Sequence, residues 1–148
     1  MNLKELFQEK VRLLEGFLEQ TKGFRERFNT DVDMEKKLDW VDELSDLRES
    51  SVNVMKALDQ EIDRAKVALN RQTIEKLQAD IEFQTALEKT LQLIKEIQLT
   101  DQSLFLYIQI MGSELRAQII RGLKEKEAVS KFKSQVQTQK GDETDQTV

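Results

Sequence analysis

The chain has 148 residues, of which 39% are hydrophobic and 34% charged, with a formal net charge of −5. That balance suits one domain of long helices, each with an apolar stripe and a wide solvated face. There is no proline, and the five glycines (Gly16, Gly23, Gly112, Gly122, Gly141) are scattered singly, so nothing enforces the tight turns of a β-rich fold. Cysteine and histidine are absent, which removes disulfides, the usual zinc and iron–sulfur ligand sets, thiolate nucleophiles and the usual proton shuttle near neutral pH. No catalytic residue, metal or cofactor is expected, and the chain reads as a binding protein, not an enzyme.

The first segment sets Leu3, Phe7, Leu14, Phe17, Phe24 and Phe28 at three- and four-residue steps, with Lys10 and Thr21 filling the polar turns of the register. A helix from Asn2 to Asn29 would span roughly 40 Å. Asn29-Thr30-Asp31-Val32-Asp33 gathers side chains that bond nearby amides and reads as a turn leading into an N-cap. A second helix then carries Trp40, Leu44, Leu47, Ser51, Val54, Leu58, Ile62, Ala65 and Leu69 on one face and Asp39, Asp42, Glu43, Asp46 and Glu49 on the other.

Asn70-Arg71-Gln72-Thr73 is a weaker break, with Asn70 suited to a left-handed C′ position and Thr73 to capping the next helix. The third segment carries Ile74, Leu77 and Ile81, then Leu87, Leu91, Ile94 and Ile97, then Leu104, Ile108, Met111, Leu115 and Ile119. The expected architecture is all-α: an elongated antiparallel bundle of three long helices, the third open to a break near residue 100, with a C-terminal amphipathic segment. Residues 1–133 form the helical domain. Residues 134–148 are polar and without a stripe, and read as a disordered tail.

The N-terminal Met-Asn-Leu-Lys-Glu-Leu-Phe lacks the apolar run of a signal peptide. Leu104 to Met111, the longest apolar stretch, is interrupted by Gln109 and too short to span a bilayer. A cytoplasmic protein without membrane insertion is expected. Carboxylates abound, but a di-metal carboxylate bundle would want matched histidines, so they read as a solvated face.

Asp101 stands on the seam Ile94, Ile97, Asp101, Leu104, Ile108, Met111, Leu115, where the other positions are apolar. Either Thr100 and Asp101 cap a new helix and the acid is wet, or it pairs with a base on a facing helix, for which Arg48 beside the second stripe is the candidate. The C-terminal stripe of Leu115, Ile119 and Leu123 is cut by Lys124-Glu125-Lys126-Glu127 before Ala128, Val129, Phe132 and Val136 begin a new apolar edge. Leu115, Ile119, Leu123, Val129, Phe132 and Val136 are the candidate partner-binding residues, free to dock a partner's helix or to lap back onto the bundle. From Gln102 to Lys133 there are 3 acids against 6 bases, and from Asp31 to Leu69 there are 11 acids against 6 bases. The first imbalance does not make a nucleic-acid surface, because Glu125 and Glu127 interleave the bases and Phe132 is the one ring placed to stack.

In order of parts the chain resembles the small helical export chaperones of the bacterial flagellar type III system, the FlgN and FliT kind. The resemblance lies in Lys10-Val-Arg-Leu-Leu-Glu-Gly-Phe-Leu18 on the first helix and the acid-and-leucine run Leu38-Asp-Trp-Val-Asp-Glu-Leu-Ser-Asp-Leu-Arg48. Ile94-Lys-Glu-Ile-Gln-Leu-Thr-Asp101 and the basic stretch from Leu115 to Phe132 complete it. It covers residues 1 to about 133. It implies a cytoplasmic chaperone that binds a flagellar hook-associated, filament or cap protein before secretion, shields its terminal helix and passes it to an export gate component. The C-terminal part would make those contacts. The alternative is a structural or adaptor coiled coil that forms a homodimer through the Leu3-to-Phe28 stripe.

Overall fold

A computed structural model describes residues 1–140, with side chains through residue 134. Four α-helices, and no strand, occur among the described residues: α1 (Leu3–Phe28), α2 (Met34–Val67), α3 (Arg71–Ala79) and α4 (Ile81–Lys140). Their contacts divide the chain into two compact units, Met1–Ile108 and Gln109–Val148.

Local chemistry accounts for each helix start. The Asn2 side chain accepts the Glu5 amide while the Glu5 side chain accepts the Asn2 amide, a reciprocal cap that satisfies two otherwise orphaned donors. Asp33 caps α2 by accepting the Lys36 amide at 2.9 Å. Asn70 does not take the left-handed C′ conformation expected of it. It is the N-cap of α3, accepting the Thr73 amide at 2.8 Å, and every described non-glycine residue keeps φ negative.

The third segment breaks at Asp80, where its sequence carries neither glycine nor proline, and runs unbroken through residue 100. Asp80 is extended (φ −85°, ψ 111°); its amide bonds the Leu77 carbonyl to end α3, and its carboxylate accepts the Phe83 amide to start α4. The same carboxylate pairs with Lys4 Nζ at 3.1 Å. Lys4 foremost, and then the Phe83 amide, hold its pKa below the ordinary value of 3.8.

In Met1–Ile108, α1 and α2 pack in opposite directions: Phe28 meets Trp40, Arg27 faces Glu43, and Lys10 pairs with Asp59 at 2.7 Å. The first stretch of α4 runs alongside α1 in the same direction, from the edge-on contact of Phe7 and Phe83 through the cluster of Leu14, Leu18, Leu93 and Ile97 to Phe28 and Tyr107. A second cluster joins Leu3, Leu6, Phe7, Leu58, Ile62, Phe83 and Ala86.

The stripe of α4 matches the expected row at Ile97, Leu104 and Met111 but departs from it elsewhere. Leu91 and Ile81 are exposed and Leu87 and Ile94 only partly buried, while Phe83, Ala86, Thr90, Leu93, Ile97, Thr100 and Leu104 are buried at three- and four-residue steps, with Met111 buried one heptad further on. The buried threonines bond back along the helix, Thr90 to the Ala86 carbonyl and Thr100 to the Glu96 carbonyl, both at 2.8 Å, so each hydroxyl is satisfied at an otherwise apolar position. On α2, Val54 is exposed and Met55 packs inward in its place. In Gln109–Val148 the described backbone is the continuation of α4, helical through Lys140. The tail expected from residue 134 thus begins within a helix, and its residues 141–148 lie outside the described residues.

Phe28 and Asp80 each carry a measurable consequence. Phe28 is 0% exposed and touches Phe24, Trp40 and Tyr107, so Phe28→Ala should cost about 3 kcal/mol in urea unfolding by loss of buried surface and the cavity left behind. Asp80 has a lowered folded pKa, so its contribution is complete above pH 3.8 and is lost as pH falls from there through the folded value. Asp80→Asn, which keeps a capping oxygen without the charge, should flatten the acid limb of a melting-temperature profile between pH 7 and pH 2.

Candidate functional site

The expected partner-binding residues all lie on the C-terminal stretch of α4, within Gln109–Val148. Leu115 is half-buried, while Ile119, Leu123 (58%), Val129 and Phe132 (66%) are exposed. The side chain of Val136 lies outside the described residues. At about 100° per residue, Leu115, Ile119 and Leu123 share an arc of about 80°, and Val129 falls about 80° to one side of Ile119. Phe132 lies about 140° from Ile119, so the helix does not bring the aromatic onto the aliphatic face. Ile120, also exposed, falls outside the expected stripe because it sits about 100° off that face. A Cβ added to Gly112 or Gly122 would meet nothing within 4 Å.

Arg48 and Asp101 are brought together. Arg48 Nη1 donates to Asp101 Oδ2 at 2.9 Å and Nη2 donates to Oδ1, forming a bidentate pair about a third exposed. Thr21, 1% exposed on α1, donates to the Phe17 carbonyl at 2.9 Å and accepts from Arg48 Nη2 at 3.5 Å. The guanidinium lies 5.2 Å from the Phe17 ring centroid, and Arg48 Nε is buried with no partner. The polar layer therefore takes one member from each of α1, α2 and α4. Because α4 is helical on both sides of Asp101 and Thr100 bonds back to Glu96, these two residues do not cap a new helix.

Tyr107 is a residue that the sequence pattern does not single out. Its hydroxyl donates to the Phe28 carbonyl at the end of α1 and accepts from Lys37 Nζ at 3.2 Å, tying three helices at one point. The available signal is its place three residues after Leu104 and four before Met111, on the true seam.

An open groove of about 440 Å³ lies between α1 and α4 within Met1–Ile108, with Val11, Thr85 and Ala86 in its lining and the Glu15–Lys89 pair (2.6 Å) spanning it. Arg12 on its rim is held by Glu9, which lowers the Glu9 pKa and raises that of Arg12. The charges around the groove are already matched, and nothing in it selects a ligand. Among the described residues no group of three or more carboxylates is placed to hold a metal ion, and no helix is long and apolar enough to cross a membrane.

No protein-family model matches the chain, and no curated protein or solved structure is significantly similar to it.

The polar layer generates a double-mutant prediction. Asp101→Leu alone leaves a guanidinium with a buried Nε and no counter-charge, and should cost about 2 kcal/mol, less than a fully buried pair because water reaches both partners. Adding Arg48→Met should recover at least half of that loss in urea titrations.

Proposed function

We propose that the chain is a cytoplasmic export chaperone that works by binding, not catalysis, and that the C-terminal stretch of α4 receives the helical terminal segment of a flagellar hook-associated, filament or cap protein. On this reading α1, α2 and the first part of α4 form an up-down-up three-helix bundle that serves as the base. The observation that carries it is the exposure of Ile119, Leu123 and Val129 on one side of the C-terminal helical stretch, while Leu3, Leu6, Phe7, Leu14, Leu18, Phe24 and Phe28 of α1 are buried. A helix keeps such apolar side chains in water at a cost in solubility, and a partner helix is one way to cover them. The family resemblance supplies the identity of that partner and of an export gate component as the next acceptor.

The alternative, a coiled coil joining two copies through the Leu3-to-Phe28 stripe, loses its surface. Leu3, Leu6, Phe7, Leu14, Leu18, Phe24 and Phe28 are buried within the chain against α2 and α4.

The test uses purified full chain, an Ile119→Asp/Leu123→Asp variant and a chain ending at Gly122, each titrated with the terminal helical segments of flagellar axial and cap proteins. Full chain should bind one such segment, both altered chains should bind at least about tenfold more weakly, and their melting temperatures should stay close to the parent's. Equal binding by all three would refute the assignment of the site.

A further inference from the structure

The face that carries Ile119 is not apolar along its whole length. Steps of four and three residues from Leu115 give Ile119, Gly122, Lys126, Val129 and Lys133, so two lysines occupy seam positions on either side of Val129. All of this row beyond Gly122 is exposed, and among the described residues neither Lys126 nor Lys133 has an ion pair. A helix laid over Ile119 and Val129 must also lie over both ammonium groups. Covering an ammonium without a counter-charge is costly, though a lysine stem can carry its head partway back to water.

Taking as its basis the reading of this stretch as a partner-binding site, we propose that its occupant is an amphipathic helix whose apolar stripe is interrupted by two carboxylates seven residues apart, one for Lys126 and one for Lys133. The same lysines oppose a second copy of this chain as the occupant. In a parallel pair each lysine meets its own equivalent. The seam positions thus act as a filter: apolar contact at Ile119 and Val129 attracts helices in general, and Lys126 and Lys133 reject those without matching acids.

The test is a charge swap on the full chain with two designed helical peptides of about three heptads. Both carry the same leucine stripe, and they differ only in bearing glutamate or lysine at two stripe positions seven residues apart. Native chain should bind the glutamate peptide at least about tenfold more tightly than the lysine peptide, with the difference shrinking in high salt. Lys126→Glu/Lys133→Glu should invert the preference while leaving the melting temperature unchanged, because both side chains are exposed. Equal binding of the two peptides by native chain, with loss of both in Ile119→Asp/Leu123→Asp, would overturn the charge filter and leave the partner-binding site standing. Failure of both peptides to bind would overturn both readings, and self-association or capture of anionic vesicles abolished by the lysine swap would overturn the choice of an acidic helix as occupant.

Discussion

Phe28 is the residue on which the order of Met1–Ile108 depends. Its ring is fully buried between Phe24, Trp40 and Tyr107, and its carbonyl, one of those a helix end leaves unpaired, takes the Tyr107 hydroxyl. One residue therefore closes α1, seats the beginning of α2 and fixes the lengthwise position of α4. The connection from α1 to α2 can be as short as five residues, with Thr30 bonded back to the Arg27 carbonyl and Asp33 already a cap, because the aromatic contact turns the chain before the second helix begins.

Apolar ridges on long helices resist lengthwise slippage weakly, since a shift of one heptad again sets leucines against leucines. The polar layer of Thr21, Arg48 and Asp101 removes that freedom. A slipped register would leave a guanidinium and a carboxylate facing hydrocarbon, and the cost of unpaired charge sets one register apart from its neighbours. Lys10–Asp59 and Lys4–Asp80 repeat the device toward the other end of α1 as single ion pairs without the bidentate geometry of Arg48 and Asp101.

How far the sequence disclosed this depends on the residue type at the seam. α1 was legible because its stripe is phenylalanine and leucine, and because Asn2, Asn29 and Asp33 mark its ends with side chains that have few other uses. Arg48 and Asp101 could be singled out because a charge on an apolar row demands a partner. The row on α4 was misread, since Leu91 and Ile94 look more like core than Thr90 and Thr100 do; a threonine that returns its hydroxyl to the preceding turn is as acceptable there as valine, and periodicity counted on hydrophobicity cannot see it. Asp80 went unseen for a related reason. A helix break without glycine or proline rests on a cap that serves two helices at once and on Lys4, seventy-six positions away in sequence, neither of which local patterning contains.

The C-terminal row differs from the rest of the chain in how its polar members are treated. In Met1–Ile108 the polar residues on the buried seams have partners inside the chain, with Arg48 Nε left over: Thr90 and Thr100 a carbonyl, Asp101 an arginine, Thr21 both a carbonyl and that arginine. Lys126 and Lys133 hold comparable positions by register and have no ion pair among the described residues. A seam completed within the chain supplies stability and a unique register, and nothing more. A seam whose apolar members are exposed and whose charges are unmatched is stable only in water, and it gains free energy when something brings both hydrocarbon and carboxylate to it.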